Sequence, residues 1–164
     1  MTYNKESIDK LFACAELFEE QEQYDKAIDI YSRLIEFEPE EPKWWAFRGY
    51  CKYFRKTYRG ALADFGKAIS MKPDVPTILY FRAQTYRHLD LLDEAIEDYK
   101  RSIVLKPAAD AYTQIGGIHE YRKNLEESKL AYEAALAIEP NDETIKHLQR
   151  VKRKIAASMR KNKT

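Results

Sequence analysis

Small and aromatic apolar residues recur along this chain at fixed distances from four prolines. Pro39, Pro73, Pro107 and Pro140 close the phrases EFEP, SMKP, VLKP and AIEP, at spacings of 34, 34 and 33 residues. Twelve residues before each proline stand Ala27, Ala61, Ala95 and Ser128; eight before stand Tyr31, Phe65, Tyr99 and Tyr132. Farther upstream, two more columns align Ala15, Gly49, Ala83 and Gly116, then Leu11, Trp45, Leu79 and Tyr112. A fixed period in this range marks a stacked repeat. Small residues facing each other let two antiparallel helices approach closely, and the large aromatic fills the space beside them. Proline ends the second helix, because it lacks an N–H and disfavours helix in the residue before it. Pro42 and Pro76 then suit a first helical turn. Each unit reads as helix, short turn, helix.

The pattern predicts a leader over residues 1–7 and four repeats at 8–41, 42–75, 76–108 and 109–142. A basic amphipathic capping helix and tail follow over 143–164. There Asn141 or Asp142 can cap the helix, and Ile145, Leu148, Val151, Ile155 and Met159 form one apolar stripe. A stack needs such a polar-backed element over its last apolar face.

These columns resemble the tetratricopeptide repeat family. Its W-x2-L-G-x2-Y…A-x3-F…P pattern is carried by Trp45, Gly49, Ala61, Phe65 and Pro73, and again by Leu79, Ala83, Tyr86, Ala95, Tyr99 and Pro107. Lys52 and His119 depart from it, standing where the family usually has Tyr or Leu. The resemblance covers residues 8–142 and implies an all-α fold: a right-handed α-solenoid of four helix-turn-helix units plus the C-terminal capping helix. It also implies a concave groove that holds a segment of a partner protein.

The stretch from Trp44 to Phe54 holds six aromatics, more than one core position needs. A helix advances about 100° per residue, which sorts them by face. Trp45, Gly49 and Lys52 point to the partner helix, and Trp44 and Cys51 to the neighbouring repeat. Lys43, Ala46, Tyr50, Tyr53 and Phe54 fall opposite, with Phe47 at the edge, so Phe47, Tyr50, Tyr53 and Phe54 read as surplus to the core. In the resembling family that side lines the groove. The first repeat places Phe12, Glu16, Glu19 and Glu20 there. The third adds Tyr80, Phe81, Gln84, Arg87 and His88, and the fourth Thr113, Gln114, Gly117, Glu120 and Tyr121. The expected partner-binding set is Phe12, Glu16, Glu19, Phe47, Tyr50, Tyr53, Phe54, Tyr80, Phe81, Gln84, Arg87, His88 and Tyr121. Tyr and Phe give large contact area for little lost side-chain entropy. The alternative is that these rings only pack against one another.

Charge changes the picture locally. The chain carries 28 Lys and Arg against 27 Asp and Glu, yet the segments differ in sign. Residues 8–41 hold 11 acids and 3 bases, residues 42–75 hold 2 and 8, and residues 143–164 hold 1 and 8. The groove is therefore expected to be acidic at one end and aromatic in the middle. Arg48 and Arg82 share one repeat position, and Asp64 and Asp98 another, sixteen residues on. In the outer repeats Cys14 with Ile30, and Ile115 with Ala131, make both positions apolar. That covariation predicts partly buried ion pairs, within a repeat or across to the next.

Catalytic patterns are missing from the sequence. The three histidines lie on separate predicted helices, with no HExxH, no phosphate-cradling glycine loop and no CxxC. Cys14 and Cys51 read as thiols on packed faces, typical of a reducing compartment. No cofactor, metal or small-molecule substrate is expected, no segment is long and apolar enough to span a bilayer, and the setting reads as cytoplasmic. The expected function is a non-catalytic protein–protein interaction module: an adaptor, co-chaperone or assembly factor. One subset of the family clamps C-terminal carboxylates with Lys and Asn. Here those positions hold Phe12 and Glu16, or Ala46 and Tyr50, which predicts no binding of such tails. One alternative is a dedicated secretion chaperone or toxin-neutralising protein. A second is nucleic-acid or acidic-membrane binding through the basic tail, which the absence of interleaved aromatics there disfavours.

Overall fold

The computed structural model describes residues 5–161; the ends of the expected leader and tail lie outside the described residues. Within that range the chain forms nine helices and no strand: α1 (Lys5–Glu20), α2 (Tyr24–Phe37), α3 (Pro42–Phe54), α4 (Tyr58–Met71), α5 (Pro76–His88), α6 (Leu92–Leu105), α7 (Ala109–Tyr121), α8 (Leu125–Ile138) and α9 (Asp142–Lys161). It is an all-α tetratricopeptide-type solenoid with a terminal capping helix. Helices α2, α4, α6 and α8 each end just before a periodic proline, while Pro42 and Pro76 open α3 and α5.

The turns inside the repeats carry a feature that glycine counting does not show. Glu22, Lys56, Asp90 and Lys123 have φ of 55°, 60°, 61° and 63°, the left-handed region, and none is glycine. Each closes the preceding helix by the same two backbone bonds. In the second repeat the Lys56 N–H donates to the Tyr53 carbonyl at 2.9 Å and the Thr57 N–H to the Lys52 carbonyl at 2.9 Å. The same pair recurs at Glu22 and Gln23, at Asp90 and Leu91, and at Lys123 and Asn124. This Schellman closure satisfies helix-end carbonyls and offsets the ~1–2 kcal/mol strain of a left-handed side-chain residue.

The chain forms two compact units, one ending at Leu91 and one beginning at Leu92. In the first, Ala15, Ala27, Tyr31, Leu34, Trp44 and Cys51 make one fully buried cluster, and Ala61, Phe65, Ala68 and Leu79 belong to a second. In the second unit, Ala95, Tyr99, Ser128, Tyr132 and Ala135 are buried. The glycine columns are tight where the approach is closest. A Cβ on Gly49 would sit 2.9 Å from the Phe65 ring, and one on Gly116 would sit 2.7 Å from the Tyr132 ring.

Three sequence expectations need correction. Trp45 is core only in part: it packs against both buried clusters of the first unit, yet it stays partly exposed, its indole donating to the Pro39 carbonyl at 2.9 Å. Trp44 is the buried one, its indole N–H donating to Glu38 at 2.8 Å. Cys14 is exposed, since no described helix packs on that side of α1, whereas Cys51 is buried between repeats. On α9 the buried line is Thr144 and Val151, flanked by partly buried Leu148 and Ile155, while Ile145 and Met159 face outward.

Candidate functional site

An open pocket of about 530 Å³ lies in the first unit, between α3 and α5. Ala46, Phe47 and Tyr50 form one wall and Ile78 and Phe81 the other. Val75 and Lys72 close it from the α4–α5 turn, and Glu19 reaches it from α1. Lys43 and Glu41 stand at the rim near the start of α3. From Lys43 to Tyr50 is two turns of helix, so the lysine end and the Glu19 end are separated by about 10 Å.

The α3 wall is held by a buried ion pair. Arg48 donates through Nε and Nη2 to both oxygens of Asp64 at 2.8 Å, and through Nη1 to Ser32 Oγ at 3.1 Å. Lys52 adds a second cation 2.8 Å from Asp64, whose side chain is 4% exposed. The first of the pairs predicted from covariation, Arg48 with Asp64, is thus formed within the repeat, and Ser32 ties it to the repeat before. Lys52, the departure from the family pattern, is explained by the same carboxylate.

Glu19 is the unusual charge in this pocket. The Tyr31 hydroxyl donates to its Oε1. Burial pushes the Glu19 carboxyl above the usual range, a shift partly offset by the hydrogen bonds from Tyr31 and Cys51. Burial, and then the Glu19 carboxylate, raise Tyr31 and Cys51 in turn. Among the described residues no Lys or Arg forms an ion pair with Glu19.

Of the expected binding residues, Glu19, Phe47, Tyr50 and Phe81 converge on the pocket. Phe12 and Phe47 also pack with Trp44, their ring centroids 5.2 to 6.5 Å apart, and Phe47 stacks on Tyr31. Phe47, Tyr53 and Phe81 all lie against core clusters. They are not surplus to the core, because neighbouring repeats close over one face of each ring. Phe54 stacks on Tyr24 and tilts onto Tyr50 at 4.6 Å, and Tyr50 meets Phe81 edge-on at 4.9 Å. Beyond Phe81, Tyr53 Oη lies 3.3 Å from His88 Nε2, and His88 stacks on Tyr58 at 4.5 Å. Tyr80 meets Phe81 edge-on, and Gln84 bridges Tyr80 to Arg87. Glu16 is exposed on α1, outside the pocket. Tyr121 belongs to the second unit and is 73% exposed. Lys72, Val75, Thr77 and Ile78 line the pocket without having been singled out. Sorting residues by helix face does not show a turn folding between two helices.

In the second unit, two of the residues expected on the groove side, Thr113 and Glu120, bond to α9, while Gly117 and Tyr121 are exposed. Thr113 Oγ1 lies 3.3 Å from Thr144 Oγ1. Glu120 takes Arg150 in a two-pronged bond, Nε at 2.8 Å and Nη2 at 2.7 Å, and Lys154 Nζ at 2.7 Å. Arg150 above all, and Lys154 with it, hold the Glu120 carboxyl down at about 2, while burial pushes Tyr132 beside it up to about 12. Lys152 lies 3.0 Å from Glu133, so the tail bases Lys152 and Lys154 are both engaged within the fold.

Among the described residues no His, Cys, Asp and Glu gather as a metal site, and no helix is long and apolar enough to cross a membrane. The sequence matches the tetratricopeptide repeat over residues 52–111 and again over 109–142. It is 24% identical over 161 residues to protein O-mannosyl-transferase TMTC1 of Mus musculus, covering 93% of this chain and 17% of that one. It is 26% identical over 128 residues to the Hsp70-Hsp90 organizing protein of Triticum aestivum, covering 77% of this chain and 20% of that one. The chain thus spans a fifth or less of the length of these two relatives. In fold it resembles MamA of Desulfovibrio magneticus RS-1, with a TM-score of 0.86, 15% identity, and coverage of 95% of this chain and 88% of that one. Register-matched helices, each first helix closed by the same left-handed turn, and sequence matches running from residue 52 to 142 place this chain in the tetratricopeptide repeat family.

Proposed function

We propose that this chain is a non-catalytic protein-interaction module that seats a large apolar side chain of a partner segment between α3 and α5. The observation that supports this reading is the pocket itself. About 530 Å³ of open concave surface is walled by Ala46, Tyr50, Ile78 and Phe81. Concave apolar walls with a few polar groups are the usual form of a binding site. Aromatic anchors commonly carry most of an interface's energy, and the ring series from Phe54 through Tyr50 to Phe81 offers such a surface. An adaptor, co-chaperone or assembly-factor role follows the same reading, and the name of the wheat relative, an organizer of two chaperones, is in keeping with it. The partner is a protein segment rather than a carboxylate tail, because Ala46 and Tyr50 stand where such a clamp would need Asn or Lys.

The test is to fill the pocket rather than dismantle it. A display library of random peptides is selected on the wild-type chain and re-measured on Ala46→Phe. Ala46 is on the wall, so the added ring should occupy the cavity and weaken peptide binding about tenfold or more, with the melting temperature held. Selection of no peptide, or equal binding by Ala46→Phe, would end this reading.

A further inference from the structure

The two glutamates described above occupy the same repeat position. Glu19 and Glu120 each stand twenty residues before a periodic proline, and each accepts a hydrogen bond from the tyrosine twelve residues on, Tyr31 or Tyr132. What faces them differs. Counting from the helix starts, Arg150 and Lys154 of α9 correspond to Tyr50 and Phe54 of α3. Burial supports this register: Thr144 and Val151 of α9 match Trp44 and Cys51 of α3, and all four are buried. At Glu120 the facing helix supplies the guanidinium and the ammonium. At Glu19 it supplies the Cys51 thiol and the Tyr50 ring but no cation, and the carboxylate lines the pocket.

We infer that Glu19 is the receptor for a guanidinium carried by the partner segment, seated beside the apolar anchor as Arg150 is seated on Glu120. This rests on the binding role proposed for the α3–α5 pocket and adds the chemistry of its ligand. A planar guanidinium suits the site on two counts. It can bond a carboxylate with two parallel N–H groups, and its face can lie against an aromatic ring such as Tyr50. A lysine ammonium meets the charge but not the fork. Tyr31 and Cys51 already bond the Glu19 carboxylate, and a guanidinium would share its oxygens with them, as Arg150 shares Glu120 Oε2 with Tyr132. The expected ligand is a segment with an arginine adjacent to a large apolar residue.

The experiment uses the full chain and the same random peptide library, selected on wild type and measured on Glu19→Gln and Ala46→Phe. In Glu19→Gln the amide oxygen would still accept the Tyr31 hydroxyl bond, so the substitution removes charge and keeps the local hydrogen bond. The expected result is enrichment of Arg next to a large apolar residue, with affinity for Glu19→Gln down about tenfold or more. Replacing that Arg by Lys or citrulline in a selected peptide should lose part or most of the affinity. Peptides that lose binding to Ala46→Phe but lack Arg and bind Glu19→Gln as well as wild type would overturn the inference and leave the pocket standing. Peptides indifferent to Ala46→Phe, or none selected, would remove both.

Discussion

The α1 and α7 ends carry the same Glu–Tyr pair at the same repeat position, yet the facing helices treat them in opposite ways. Around Glu120, α9 supplies Arg150 and Lys154, and the carboxylate becomes a structural clasp. Around Glu19, α3 supplies the Cys51 thiol and the Tyr50 ring, and the carboxylate stands without a cation at the edge of an open cavity. The lesson is that repeat position fixes where a side chain points, while the next helix decides its use. One and the same residue type stabilises the fold at one end and costs stability at the other. Binding sites in repeat arrays can therefore be sought where a repeat position is satisfied in one copy and left open in another.

The largest expected effect removes the clasp. Arg150→Ala with Lys154→Ala strands a carboxylate whose side chain is only 8% exposed. Because both cations are themselves about half exposed, we discount the cost of a fully buried pair to about 2–3 kcal/mol. Hydrogen exchange along α9 should rise with it; unchanged exchange and unchanged denaturation would show that apolar contacts at Val151 suffice. The pH dependence has a definite sign. Glu120 titrates lower in the folded chain than its ordinary 4.5, so its stabilisation is present above that value and fades as pH falls toward about 2. Glu120→Gln should flatten that acid limb.

A transplant comes next in size. Tyr50→Arg puts on α3 the residue that α9 has at the same position, and it should close on Glu19. A double-mutant cycle with Glu19→Gln is expected to show about 1 kcal/mol of coupling in urea denaturation. Selected peptides should lose binding to Tyr50→Arg, since the pocket's own cation then occupies the carboxylate. A coupling of zero would break the analogy between the two ends.

The smallest effect has the opposite sign. Glu19 is raised by burial, so the folded chain holds its proton more firmly than the unfolded chain does. Its contribution to stability is therefore present at low pH and lost as pH rises past 4.5 and through the folded value. At pH 7 Glu19→Gln should leave the chain slightly more stable in urea denaturation, and the gain should vanish on acidification. Gaining stability while losing ligand is the behaviour of a residue kept for function.

Much of this was legible in the residue columns. The prolines, the small positions and the aromatic eight residues upstream gave the helix pairs, and covariation gave Arg48 with Asp64. What helix geometry alone could not supply was competition for the same face. Thr113 and Glu120 read as groove residues by direction, but α9 bonds both. Phe47, Tyr53 and Phe81 read as groove residues by direction alone, but each packs against a buried cluster. The pocket needed the α4–α5 turn, where Lys72 and Val75 fold in without any periodicity to announce them. Trp45 differs because an indole is larger than the Leu11 and Leu79 of its column, so part of it stays exposed while the rest packs on the core.

The four left-handed turns bear on how such a chain can change length. Each depends on two backbone bonds spanning a fixed number of residues, so adding or deleting one residue there would break both and misdirect the next helix. The joins between repeats carry no such closure, and it is there that the count already varies: α7 starts two residues after Pro107, where α5 starts three after Pro73. Insertions and deletions are thus channelled to the joins. The hairpin acts as an indivisible unit of inheritance, and the Lys72–Val75 join that shapes the pocket lies in the part of the repeat most open to revision.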